Sequence, residues 1–376
     1  GLPTLLYATK EPPASTDMSL ARVSDSYCGT LSIASALYRR KLPYRFAGIF
    51  FPDDPGLAAE LDRFTRALAV VAGLRNARIG QVGVRPAQFE TVNYSETALI
   101  QKFGQNVVYR DLADVLARAD EYAADDPTLR ELADALAGSV AEATVPAEYF
   151  DRAARLEAAL GEFWCENKLS VMGVQCWPTL MRRGGIEPCA VYGRLTERGM
   201  LTACEADILG GLSMLCSHRA ALGETVPHFI DWTIKHREHE NRFLAWHCGN
   251  APACLATDPS RAALRQRGDM KGEGDASQGR GGLFQFQLKP GPVTLCRLAE
   301  YDNHWKMPVA RGRIVPSDET LAGTWSWVEV SDHDRLYRIL AEQGFIHHAS
   351  MIHGDQADAL ETACALMDID VVRGTD

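Results

Sequence analysis

The chain has 376 residues, 46% apolar and 23% charged, which fits roughly two to three soluble domains and excludes a disordered or fibrous polymer. Lys and Arg total 39 against 49 Asp and Glu, a net charge of −10, so nucleic acid and anionic lipid surfaces are excluded as default partners. No apolar run approaches the ~20 residues that span a bilayer. The ten cysteines include no CxxC pair and no secretory leader is visible, so reduced thiols in a cytoplasmic protein are expected.

In chain order, residues 5–8 (LLYA) read as a strand that begins almost at Gly1, as a strand inside a domain would. Residues 46–51 (FAGIFF) read as a buried strand ended by Asp53, Asp54 and Pro55. Residues 56–74 then read as a helix, with Leu57, Leu61, Phe64 and Leu68 at spacings of four and three. Strands are expected at 77–84 and 105–109. The Ala-rich, acidic stretch 110–161 reads as two or three amphipathic helices interrupted at Pro127 and Pro146. Further strands are expected at 169–175 and 189–195, and a helix at 205–222 with Ile208, Leu212, Leu215 and Arg219 on one face. Strands at 228–234 and 243–247 follow. The Gly- and charge-rich stretch 267–282 reads as a surface loop. Residues 283–299 and 323–330 read as strands of an antiparallel or barrel-like unit. Strands separated by helices imply an α/β fold with right-handed crossovers and a parallel sheet, and the pattern changes near Gly223 and Pro227.

Four residue groups could carry chemistry. Glu205 is placed in the first turn of the 205–222 helix, where the helix dipole favours a carboxylate by ~0.3–1 kcal/mol. Taken alone it reads as simple charge compensation, and Asp207, two positions on, faces away from it. Asp231 lies inside the apolar strand FIDWT, where a carboxylate must be paired, hydrogen-bonded or metal-bound; a buried salt bridge and a metal ligand fit equally well. His347 and His348 are adjacent, so in an extended segment only one of them faces a given site. His247, Cys248 and Asn250 sit at a strand end (AWHCGN), and neighbours in sequence rarely form a nucleophilic His–Cys pair. Two carboxylates and one imidazole make an oxygen-rich, open site that suits Mn²⁺, Mg²⁺, Co²⁺ or Fe²⁺ better than structural zinc.

The order GVQCWPTL (173–180), ACEADILGGLSMLCS (203–217), FIDWT (229–233), FLAWHCGNAP (243–252), KPGPVTLCR (289–297) and GFIHHA (344–349) resembles the L-fucose isomerase-like family of bacterial sugar isomerases over nearly the whole chain. DSYCGTLSIASAL (25–37) and FETVNYSETAL (89–99) are also similar to family segments. The resemblance implies Mn²⁺ held by Glu205, Asp231 and His347, with His348 as the register alternative, and proton transfer by Glu205 and Asp231. It matches Gln175, before Trp177, to a substrate-contacting Gln, and sets His247 and Asn250 near the pocket.

It further implies a Rossmann-like parallel-sheet domain followed by a C-terminal mixed α+β domain with an antiparallel, barrel-like sheet. The corresponding segments are 1–45, the end of a first Rossmann-like domain whose earlier part is missing; 46–222, carrying Glu205; and 223–376, carrying Asp231 and His347. A homo-oligomer, trimeric or hexameric, with the pocket near a subunit interface is implied as well. The expected activity is aldose–ketose isomerisation of an open-chain sugar through a metal-stabilised enediol. Fucose, arabinose or sulfoquinovose would be the substrate, the last needing a cation drawn from Arg182, Arg183 or Arg194. The alternatives are a metal-dependent hydrolase or lyase acting on a polyol, and a non-catalytic sugar-binding protein.

Overall fold

The structure is a computed structural model that describes residues 3–10, 25–266 and 281–374. The chain begins with a βαβ unit. Strand β1 (Thr4–Thr9) and strand β2 (Tyr44–Phe50) pair in parallel across helix α1 (Ser26–Arg39). This unit is less covered than its apolar sequence implies. Phe46 and Ile49 of β2 are 47% and 38% exposed, and α1 buries none of its residues against the described chain. The expectation of a buried strand at 46–51 is therefore corrected: the strand is there, but the described residues put nothing over its outer face.

Helix α2 (Pro55–Arg75) follows, with Pro55 in its first turn, where a missing N–H costs nothing. It buries Leu57, Phe64, Val71 and Leu74. A four-stranded parallel sheet comes next, built from β3 (Ile79–Val82), β4 (Val107–Arg110), β6 (Val171–Val174) and β7 (Thr202–Ala203) in the order β4-β3-β6-β7. Helices α3 (Glu96–Phe103), α4 (Leu112–Glu121), α5 (Pro127–Gly138) and α6 (Glu148–Asn167) and the short β5 (Glu142–Ala143) fill the crossovers. Pro127 opens α5 at the interruption expected there, and α6 begins just after Pro146.

Residues 189–195 form helix α7 (Cys189–Glu197), not the expected strand. All but the last residue of α7 are buried, so the segment has no solvent-facing side and its sequence carries no 3.6-residue stripe to separate it from a core strand. Helix α8 (Ile208–Ala220) is buried almost all round for the same reason. It starts three residues later than the expected 205–222 helix.

The C-terminal half contains β8 (His228–Lys235), β9 (Arg242–His247), β10 (Ala263–Arg265), β11 (Leu283–Gln287), β12 (Gly291–Cys296), β13 (Ala299–Tyr301), β14 (His304–Val315), β15 (Thr324–Glu329), β16 (His348–His353) and β17 (Asp370–Arg373), with helices α9 (His333–Glu342) and α10 (Ala357–Leu366). Six of these strands pair in antiparallel fashion in the cyclic order β14-β12-β16-β8-β9-β15, and β15 returns to β14 to close the ring. Helix α8 packs against β16 of this ring and against β6 of the parallel sheet, which brings the mouth of α8 beside the paired strands β8 and β16. The expected loop at 267–282 lies outside the described residues except for Gly281 and Gly282. All ten cysteines are free thiols, six of them buried. Among the described residues no helix is long and apolar enough to cross a membrane.

Candidate metal centre

The site forms where the parallel sheet, α8 and the strand ring meet. Glu205 is not in the first turn of α8. It sits in a tight turn just before that helix with φ 55°, and Ala206 follows at φ 55°. Two successive non-glycine residues in the left-handed region store backbone strain of order 1–3 kcal/mol each, the kind of cost found at functional turns. The turn lifts the Glu205 carboxylate away from the helix dipole and into a pocket of rings. Its Oε1 accepts a hydrogen bond from Trp177 Nε1 at 3.3 Å. Its Oε2 lies 3.5 Å from His348 Nε2 and 3.8 Å from His247 Nε2. Burial alone would raise its pKa, but His247, His348 and the Trp177 N–H outweigh it and hold the carboxyl down to about 2. Glu205 is therefore a carboxylate throughout the working pH range.

Strand register decides which histidine meets the carboxylates. His348 stands directly across from Asp231 in the β16–β8 ladder, and directly paired residues point to the same face. His348 Nε2 lies 3.6 Å from Asp231 Oδ1. His347 precedes β16; its ring centroid is 4.2 Å from that of His348, and its edge meets Phe89 at 5.2 Å. Ligating atoms of Asp231, His347 and His348 still fall within 4.8 Å of one another, as do those of Glu205, His247 and His348. The two imidazoles thus share one locality, contrary to the expectation that they point to opposite sides.

Asp207 holds His348 from behind. Its Oδ2 is 2.8 Å from His348 Nδ1, so Nδ1 donates and Nε2 is left to face Glu205 and Asp231. The same carboxylate receives two bonds from Arg297, at 2.5 and 3.0 Å, and caps α8 by accepting from Gly210 N at 2.8 Å. Burial pushes its pKa up, while Arg297 and His348 together hold it well below the ordinary carboxylate range. Phe229 packs its ring 4.7 Å from that of His348, and Phe89 closes the other side against Trp177 at 5.4 Å.

Gly210 is required here, because a Cβ would stand 2.5 Å from Asp207 Oδ2 and 2.6 Å from both Arg297 Nη1 and the Phe229 ring. Gly210→Ala is expected to lower stability by about 1–3 kcal/mol, read as a reduced urea midpoint at an unchanged m-value. An unchanged midpoint would show that this packing is looser than described.

The donor set fits a divalent cation. Glu205 Oε2 and Asp231 Oδ1 are buried acceptors without a hydrogen-bond partner, and an unpaired buried carboxylate oxygen is costly. They lie 3.5 and 3.6 Å from His348 Nε2, each a spacing that two metal bonds of about 2.0–2.2 Å span, and His348 is common to both groups whose ligating atoms fall within 4.8 Å of one another. His247 is also unpartnered at both ring nitrogens; burial opposes its charge, but Asp231 and Glu205 push its pKa well above the usual imidazole value. Asn250 reaches Cys204 Sγ at 3.8 Å through Nδ2 and leaves Oδ1 unpartnered.

Gln175 is placed differently. Its Oε1 accepts from Val84 N at 3.2 Å and its Nε2 donates to Thr179 Oγ1 at 3.1 Å, so its amide ties the loop after β3 to the loop after β6. Of the three arginines considered for an anionic sugar, Arg194 is buried against Glu157 at 2.7 Å. Arg182 and Arg183 line a groove beside Arg152 and Arg155 that contains none of the residues around Glu205. Asp207, Arg297 and Phe89 had no role in the sequence reading. A Gly-tolerant helix start after Asp207 was the available signal for the first.

Residues 245–374 match the L-fucose isomerase C-terminal domain, and residues 1–75 match the fucose/sulfoquinovose isomerase N-terminal domain. The chain is 27% identical to a sulfoquinovose isomerase of Alkalicoccus urumqiensis over 378 residues, covering 99% of this chain and 80% of that protein. It is 26% identical to one from Clostridium sp. (strain MSTE9) and 24% identical to one from Priestia megaterium, each match covering 95% of this chain and 77% of the relative. By class the protein is a sugar aldose–ketose isomerase. The chain belongs to the L-fucose isomerase-like family. The match at 1–75 corrects the expectation that the N-terminal domain is missing: its sequence is present, and β1, α1, β2 and α2 are built from it.

Proposed function

We propose that the protein isomerises a sulfonated hexose, sulfoquinovose, to its ketose through an enediol, using a divalent metal, Mn²⁺ by preference, held by Glu205, Asp231 and His348. The carrying observation is the approach of His348 Nε2 to two buried carboxylate oxygens that have no hydrogen-bond partner. The relatives' names support the substrate, since four matches are sulfoquinovose isomerases.

A bound divalent cation supplies Lewis-acid polarisation of the sugar carbonyl. Glu205, ionised and steered by Trp177, takes the proton from C2 and returns it at C1. Asp231, the more open of the two carboxylates with 23% side-chain exposure, moves the proton between the O1 and O2 hydroxyls. His247 in its charged form donates to a substrate oxygen, and Asn250 Oδ1 accepts from a hydroxyl. Trp177 and Phe89 keep water from the reacting carbons. Gln175 fixes the loops that carry Trp177 and Phe89.

We further read the chain as three segments, 1–45, 46–222 and 223–376, the first two Rossmann-like, in a cytoplasmic homo-oligomer. Support for assembly comes from α1, whose Tyr27, Leu31, Ile33 and Tyr38 are exposed apolar residues among the described chain. The test of the reaction is metal-loaded turnover of sulfoquinovose in D₂O. The enediol route predicts ketose formation with solvent deuterium at C1. Ketose without any deuterium would replace that route by hydride transfer, and no conversion of any aldose would remove the isomerase reading.

A further inference from the structure

We infer that Arg85 is the specificity-determining residue for the anionic end of the substrate, in a polar pocket that flanks the Glu205–Ala206–Asp207 turn. The inference rests on the proposed sulfonated-sugar reading. A pocket of about 510 Å³ is lined by Gln81, Arg85, Asn93, Tyr94, Tyr109 and, at its inner wall, Ala206. Ala206 lies between Glu205 of the metal centre and Asp207, which holds His348, so the pocket's lining includes the turn that carries Glu205.

Among the described residues that line the pocket, only Arg85 carries a cationic side chain. It is half-buried and makes no ion pair among the described residues; its Nη1 reaches only the carbonyls of Pro86 and Ala87 in its own loop, at 3.4 and 3.5 Å. A half-buried arginine with most donors unused is a ready partner for a sulfonate, whose oxygens accept charge-assisted, paired N–H bonds. The one carboxylate among the described lining residues, Glu96, has an oxygen 3.4 Å from the Tyr109 hydroxyl, whose single proton is shared with the closer Tyr94.

The remaining lining suits hydroxyls. Tyr94 bonds Gln81 Oε1 at 2.8 Å and meets the Tyr109 hydroxyl at 2.7 Å, a chain of groups that exchange donors and acceptors with a polyol. Arg85 is also tied mechanically to the metal centre. Its loop is pinned by Gly83 N to Arg110 O at 3.0 Å and by Val84 N to Gln175, and it ends in Phe89 against Trp177, His347 and His348. One loop therefore carries the anion-facing residue at its start and the ring that closes the reacting end at its finish.

The test compares Arg85→Met and Arg85→Lys with the wild type in turnover of sulfoquinovose and of glucose, and in calorimetric binding of the two corresponding alditols. Arg85→Met is expected to raise KM for the sulfonated sugar about tenfold or more, with kcat within about threefold and glucose unaffected; Arg85→Lys recovers most of the loss. Wild-type protein is expected to bind the sulfonated alditol at least about tenfold tighter than glucitol, a preference that Arg85→Met removes. Equal loss for both sugars, no loss for either, or equal wild-type binding of both alditols overturns the assignment. The alditol arm needs no turnover. A sulfonate preference that depends on Arg85 in a protein without isomerase activity would uphold the subsite while refuting the reaction.

Discussion

Glu205→Gln is expected to lower kcat for ketose formation by about 10²–10⁴-fold, the range that a positioned general base supplies. The substitution keeps the side-chain shape and the acceptor for Trp177 Nε1, and it removes the proton-accepting charge and one metal-ligating oxygen. The fold should survive, because the turn conformation at φ 55° is set by the backbone of Glu205 and Ala206 and not by the charge. The check pairs steady-state turnover at saturating Mn²⁺ with circular dichroism and a urea melt. Turnover within tenfold of wild type on a folded protein would move the carbon proton transfer to another group, with Asp231 the next to test.

Asp207→Ala carries the second large effect, and it acts on stability and metal affinity together. The carboxylate is fully buried between Arg297, His348 Nδ1 and the first turn of α8. Its removal leaves the Arg297 guanidinium buried without its partner, a loss of about 3–5 kcal/mol. It also frees the imidazole of His348 to rotate or change tautomer, which typically costs about 10–100-fold in metal affinity. Asp207→Asn separates the two effects: it retains a side-chain acceptor for the helix cap, while weakening the bond that orients His348. Calorimetric Mn²⁺ titration and urea denaturation of both variants check this. Unchanged metal affinity in Asp207→Asn and Asp207→Ala would show that His348 does not depend on Asp207 for its orientation.

Much of the fold was legible because its helices are one-sided and its strands are short. The stripe of Leu57, Phe64 and Leu68 announced α2, and Pro127 and Pro146 divided α4, α5 and α6. Segments buried on all sides were harder: in 189–195 an apolar run is equally a core strand or a core helix, and α7 is the latter. The site followed the same division. Asp231 was visible as a carboxylate inside an apolar strand, whereas Glu205, which alone reads as first-turn charge compensation, entered the candidate site only through the family resemblance. The choice between His347 and His348 was not visible, because it depends on which residue lies across from Asp231 in the β16–β8 ladder, and a pairing register is a tertiary fact. The left-handed turn at Glu205 was hidden as well; Glu and Ala do not advertise positive φ as Gly or Asn does. Asp207 appeared irrelevant because helical spacing turned it away from Glu205. That separation lets it serve a different partner, His348, from the far side.

The non-catalytic and hydrolytic alternatives lose support once the domain matches and the relatives are set beside this geometry. The most direct measurement is Mn²⁺ binding, by calorimetry with parallel electron paramagnetic resonance, to the wild type, His348→Ala and His347→Ala. The predicted result is a single site per chain that weakens about 100-fold or more in His348→Ala and stays within a few-fold of wild type in His347→Ala. The reverse pattern, or Mn²⁺ affinity untouched by His348→Ala, would contradict the assignment of Glu205, Asp231 and His348 as the metal centre.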